Sequence, residues 1–137
     1  MKENLGEELH VAVFDRCGSV SAWIKAMRFG DFVESGYWMT VLVENGIKEE
    51  YLAKCLAIFT AEDTTDTVTM TLANSILLLY AQGLGDGNML WQVLYRCCRA
   101  PKFWETDAGR DYELESDRAL ARYQQNGVEE LPVWAVD

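Results

Sequence analysis

Histidine is nearly missing from this chain of 137 residues: His10 is the only one. Sites with two or more imidazole ligands are therefore excluded. A single Cys–His pair is the most that could form, and the plainer role for His10 is the edge of a first helix. Positive charge is scarce too. Twelve Lys and Arg stand against twenty-two Asp and Glu, a formal net charge of -10. Nucleic-acid phosphates and anionic membrane surfaces both select the opposite balance. The opening stretch MKENLGEELHVAVF places acids where a signal peptide carries bases, and it lacks a long apolar run. The longest apolar stretch, Asp66 to Gln82, is broken by Thr69, Thr71, Asn74 and Ser75, so it is too short in continuous apolar length to span a bilayer. These absences give the expectation of a cytoplasmic protein that contacts neither membrane nor nucleic acid directly.

Catalytic and ligand-binding spacings are also missing. The four cysteines are Cys17, Cys55, Cys97 and Cys98. Cys97 and Cys98 are adjacent, so on a helix they point about 100° apart rather than converging. Zinc would need Cys17 and Cys55 to meet them. Cysteine in a reducing compartment is usually a small buried hydrophobe, although Arg96 and Arg99 would favour the thiolate of an exposed Cys97. The segment GLGDGN, 83–88, has glycines in a GxGxG spacing after a helix, without the GK[ST] of a phosphate loop or the GxGxxG of a dinucleotide site. Asp86 there would repel phosphate. Neither Glu62-Asp63-Asp66 nor Asp86-Asn88 has calcium-loop spacing. The expectation is no catalytic residue, no cofactor and no metal: not an enzyme.

What the chain does contain is apolar and helical. Half of it is hydrophobic and 12% aromatic, enough for one real core in a single domain, 1–137. Val68, Leu72, Ala73, Ile76, Leu77 and Tyr80 recur at helical spacing in the stretch from Asp66, and Leu78 and Leu79 widen the stripe. A helix so apolar around its circumference is expected at the centre of a bundle, entered at Asp66 or a neighbouring threonine and left at Gly83, Gly85 and Gly87. Before it, residues 3–15 read as a first helix, with residues 9–14 alternatively a short strand, ended by Cys17-Gly18. Ser19 then caps a second over 20–28, where Val20, Trp23, Ile24 and Met27 share one face. Residues 32–44 read either as a helix broken at Gly36 or, over 37–43, as a short strand rich in β-formers. The helical spacing of Tyr51, Leu52, Cys55, Leu56 and Phe59 decides for helix, Asn45-Gly46 turn, helix. Asp86 or Asn88 caps a further helix through Leu90, Trp91, Leu94, Tyr95 and Cys98, ended before Pro101. Residues 102–115 have no clean period, with Phe103 and Trp104 as anchors. Ser116 caps a last helix stopped at Gly127, and the tail is extended around Pro132. There is no internal repeat, low-complexity tract or linker. The fold class is mainly α: one compact bundle of about six or seven short helices.

One fragment has a resemblance. Gly36-Tyr37-Trp38 followed by Asn45-Gly46 resembles a piece of the plasmid antirestriction family. That family's glycine- and aromatic-rich strand pattern does not recur elsewhere in the chain, so neither fold nor function is carried over.

The candidate functional surface lies in the last third. Glu105, Asp107, Asp111, Glu113, Glu115 and Asp117 fall close together with only Arg110 among them, and Glu129, Glu130 and Asp137 follow. Phe103, Trp104, Tyr112 and Trp134 interleave with them. Acids beside aromatics form the footprint of a binder for a basic protein surface. The simple alternative is a solvated acidic helix, with Arg96, Arg99 and Lys102 pairing some of the acids. The site residues expected to touch a partner are Trp104, Glu105, Asp107, Asp111, Tyr112, Glu113, Glu115 and Trp134. The expected function is protein–protein contact by an inhibitor, immunity or anti-defence type of protein that masks a basic surface. A secretion or assembly chaperone acting as a homodimer is the alternative.

Overall fold

Segments whose apolar residues recur three and four apart bury them by packing helix on helix. A computed structural model describes residues 12–135. It contains six α-helices: α1 (Arg16–Arg28), α2 (Phe32–Glu44), α3 (Glu49–Asp63), α4 (Thr67–Ala81), α5 (Gly87–Arg99) and α6 (Asp107–Asn126). Short 3₁₀ turns cover Phe103–Glu105 and Val133–Ala135, and there is no sheet among the described residues. The mainly α class is as the sequence indicates. The chain divides into two compact units, Met1–Ala100 with α1 to α5 and Pro101–Asp137 with α6.

In the first unit α1 packs on α2 and α3 packs on α4, while α5 touches all four. The shared helix is therefore α5. Its Leu90, Val93, Leu94, Cys97 and Cys98 fall on one face and are all buried. They meet Trp23 and Met27 of α1, Met39 and Leu42 of α2, Leu52, Leu56 and Phe59 of α3, and Ala73 and Ile76 of α4 in one continuous core. This corrects the expectation that the stretch from Asp66 is central. α4 buries only Thr69, Ala73 and Ile76 and leaves its other side to solvent. Being apolar all round was a fair sign of burial, but α5, with one apolar face and one polar face, reaches more partners.

Aspartates start three of the helices. Asp31 accepts from the Glu34 N–H at 3.0 Å, Asp66 from Val68 at 3.2 Å and Asp86 from Met89 at 3.2 Å. Each satisfies a donor the helix cannot. The single Tyr80 O–H is shared between Glu49 Oε1 at 2.9 Å and the Asp86 carbonyl at 2.6 Å, tying the end of α4 to the starts of α3 and α5. Burial, and then the carboxylate of Glu49, push its phenol above the ordinary range.

Several local expectations change. Residues 3–11 of the expected first helix lie outside the described residues, and residues 12–15 are not helical. α1 starts at Arg16 after Asp15, so Cys17-Gly18 does not end an element and Ser19 is a buried helical residue rather than a cap. Residues 37–43 are helix, not strand. Ser35, Met39 and Leu42 are spaced by four and three and reach the core together, and that burial outweighs local β propensity. Gly36 does not break α2. A Cβ there would lie 2.6 Å from Cζ3 of Trp91, so the absent side chain is the seat on which α5 packs. Gly87 is the first residue of α5, not part of the exit from α4.

Candidate protein-interaction surface

The second unit is built outward from a short turn. Phe103–Glu105 forms a 3₁₀ turn in which the Lys102 N–H donates to Glu105 Oε1 at 3.0 Å. Thr106 then caps α6: its hydroxyl accepts from the Gly109 N–H at 3.0 Å and donates to the Phe103 carbonyl at 2.7 Å. Gly109 is required by contact. A Cβ at this position would fall 1.8 Å from the Phe103 carbonyl oxygen. The ring of Phe103 meets Tyr112 edge-on at 5.4 Å. The helix thus begins well before Ser116, which sits in mid-helix and donates to the Glu113 carbonyl at 3.1 Å. The expected cap at Ser116 is corrected to Thr106. Gly127 ends the helix as expected, and its N–H donates to the Tyr123 carbonyl at 2.7 Å.

α6 has 20 residues, all exposed except Gly109 and Ser116. Tyr112, Ser116, Ala119, Leu120 and Tyr123 nevertheless follow the spacing of one helical face. Tyr112, Leu120 and Tyr123 are each more than three-fifths exposed. Asp111 and Glu115, four apart, edge one side of this stripe; Glu113 and Asp117, also four apart, edge the other. Residues 101–137 carry nine acids against four bases, half of the chain's net charge.

Of the eight expected site residues, Asp111, Tyr112, Glu113 and Glu115 come together on the first half of α6. Asp107 is its first residue and pairs with Arg110. Glu105 is engaged by the backbone of the turn. Trp104 and Trp134, both substantially exposed, lie in the separate 3₁₀ turns before and after the helix. The sequence reading missed Leu120 and Tyr123, because it began the helix at Ser116 and so lost the register that links them to Tyr112. At the far end Arg122 binds Glu129 through two nitrogens, Nε at 2.8 Å, and Asn126 donates to the same carboxylate at 2.8 Å. These bonds, Arg122 first, hold the Glu129 carboxyl at a pKa of about 2.

The other chemical candidates are otherwise occupied. Cys97 is fully buried rather than exposed, Cys98 lies 3.3 Å from the Ser35 hydroxyl, and no disulfide joins the four cysteines. The half-buried Cys55 thiol is pushed up by burial. Asp66 and Asp86 cap helices, and Asp63 accepts from Arg28 Nε at 3.3 Å. No three His, Cys, Asp or Glu converge among the described residues. His10 lies outside them.

Fold and surface together define an all-α protein with one largely exposed helix, acidic in its first half and aromatic on one stripe. No family model matches the chain, and no curated protein matches it.

Proposed function

We propose that the chain is a non-catalytic interaction protein that covers a basic surface on a protein partner, as an inhibitor, immunity or anti-defence protein does. α6 and the turns beside it would form the contact. One observation carries this reading: Tyr112, Leu120 and Tyr123 are aligned at helical spacing on a face that meets solvent, with carboxylates along both edges of its first half. Covering such side chains stabilises a complex by roughly 1–2 kcal/mol each for the share still exposed. The acids beside them favour Lys and Arg across the interface and steer a basic partner toward it. The reading assigns no reaction to the chain and no cofactor.

Affinity capture on the immobilised chain, followed by titration of each purified captured protein, tests it. The expected partner is a protein of basic isoelectric point. Tyr112→Ala should weaken it about tenfold or more, as for an aromatic anchor. A triple change of Asp111→Asn, Glu113→Gln and Glu115→Gln should slow association more than it speeds dissociation. Partners without basic surfaces, or binding indifferent to all four positions, would refute the proposal.

A further inference from the structure

The charges of α6 are segregated along its length. Asp107, Asp111, Glu113, Glu115 and Asp117 all come before Arg118, with Arg110 the one base among them. From Arg118 to Asn126 the only charged residues are Arg118 and Arg122. Like charges stand four apart in each half, Asp111 with Glu115 and Arg118 with Arg122, an arrangement that a lone helix does not favour. The exposed stripe crosses both halves. Tyr112 lies in the acidic half, and Leu120 and Tyr123 lie in the basic one. A basic surface is drawn to the first half but gains nothing from the second. What fits the second half is an acidic helix with an apolar stripe of its own.

We infer that the partner-free chain pairs with a second copy through α6, the two helices running antiparallel about a two-fold axis. Two features select that occupant. First, an antiparallel pair lays the acidic half of each helix along the basic half of the other. With the axis between Asp117 and Arg118, Glu115 of one copy comes beside Arg122 of the other, and the symmetry makes that pair twice. Arg122 is 70% exposed despite its bond to Glu129, so a second carboxylate can reach it. A parallel pair would instead set every acid beside its own copy. Second, the stripe matches its own reverse. Tyr112, Ser116, Ala119 and Tyr123 are spaced by four, three and four, as in the seam of paired helices. Reversed about the same axis, Tyr112 meets Tyr123 at each end and Ser116 meets Ala119 between them, where small side chains let the backbones approach. A two-fold interface needs this self-complementarity. Self-pairing covers the stripe assigned above to a basic partner. Resting on that reading, the second copy keeps the surface closed until the partner displaces it.

Light scattering with sedimentation on the full chain should give a mass about twice 15.6 kDa at micromolar concentration. Glu115→Arg and Arg122→Glu, each alone, should weaken self-association about tenfold or more, because each sets like charges together twice. An equimolar mixture of the two variants should restore the dimer, and so should the double change in one chain. Arg122→Glu also breaks the bond to Glu129, which neither combination repairs, so rescue reports the contact between copies. Adding a captured basic partner should convert the dimer into a complex that holds one copy. A wild-type chain that stays monomeric at millimolar concentration would overturn the inference. So would a dimer indifferent to both reversals, or a mixture that fails to reassociate. A dimer that persists in the partner complex would overturn the competition. The pairing is decided on the chain alone, so failure to capture a basic partner counts against the masking reading and not against it.

Discussion

Glu129 shows how one exposed carboxylate can be fixed by its neighbours. Two nitrogens of Arg122 and the amide of Asn126 converge on it and bring its pKa down to about 2. A carboxyl with a depressed folded pKa contributes stability above its unfolded value. That contribution fades as pH falls from about 4.5 toward 2. Both partners remain open to solvent, so salt screens the pair and the effect is local. The expected outcome is an Arg122 Nε proton that exchanges slowly at neutral pH and loses protection only near pH 2. Glu129→Gln should abolish that protection at every pH. If the signal titrated at an ordinary carboxylate pKa, the clamp would not form in solution. The pairing itself was not legible beforehand. Glu129 and Glu130 are equivalent in the sequence, and the turn at Gly127 chooses between them. Asp66 and Asp86, by contrast, were readable to within a neighbour, a threonine beside the one and Asn88 beside the other, because each is a short acceptor just before an apolar periodic run.

Helices differed in how well their ends and places could be read. Those whose preceding aspartate accepts from the first turn, α2, α4 and α5, came out nearly in register, whereas α1, whose Asp15 makes no such bond, did not. α6 did not, because Thr106 and Ser116 are equally good caps by type. The choice falls to Gly109, whose bare Cα lets the Phe103 carbonyl sit against the first turn. That is a contact and not a local preference. It yields a prediction opposite to propensity. Gly→Ala inside an exposed helix ordinarily stabilises by about 1 kcal/mol. Here the new methyl would lie 1.8 Å from a backbone oxygen, so Gly109→Ala should detach the turn and cost the Thr106 cap, worth about 1 kcal/mol. Native-state hydrogen exchange should show the Arg110 amide, which donates to the Thr106 carbonyl at 3.1 Å, losing protection while Tyr123 and its neighbours stay unchanged. A more protected first turn would mean that Phe103 does not pack there. α4 and α5 teach the complementary lesson. The apolar richness of α4 suggested a central position, yet α5 is the shared helix because its apolar residues are confined to one face that four neighbours can cover. Richness measures how much a helix could bury; only the packing tells which side is covered and which stays exposed.

At the scale of the whole chain, charge is unevenly spread: residues 101–137 hold half of the net charge. The net -10 was legible at once and pointed away from phosphate and lipid. What the sequence did not show was that the acids of the last third flank an aromatic stripe on an exposed stretch of α6. Attraction between that acidic stretch and a basic protein weakens as the Debye length shortens from about 10 Å at moderate ionic strength to about 3 Å at molar salt. Burial of the aromatic stripe does not weaken over the same range. Raising salt should consequently slow association with the captured basic partner while changing its dissociation rate little. Stopped-flow mixing across a salt series measures both rates. A partner whose association rate ignores salt removes the steering argument from α6, and one whose dissociation alone responds shows that ion pairs, not the stripe, hold the complex.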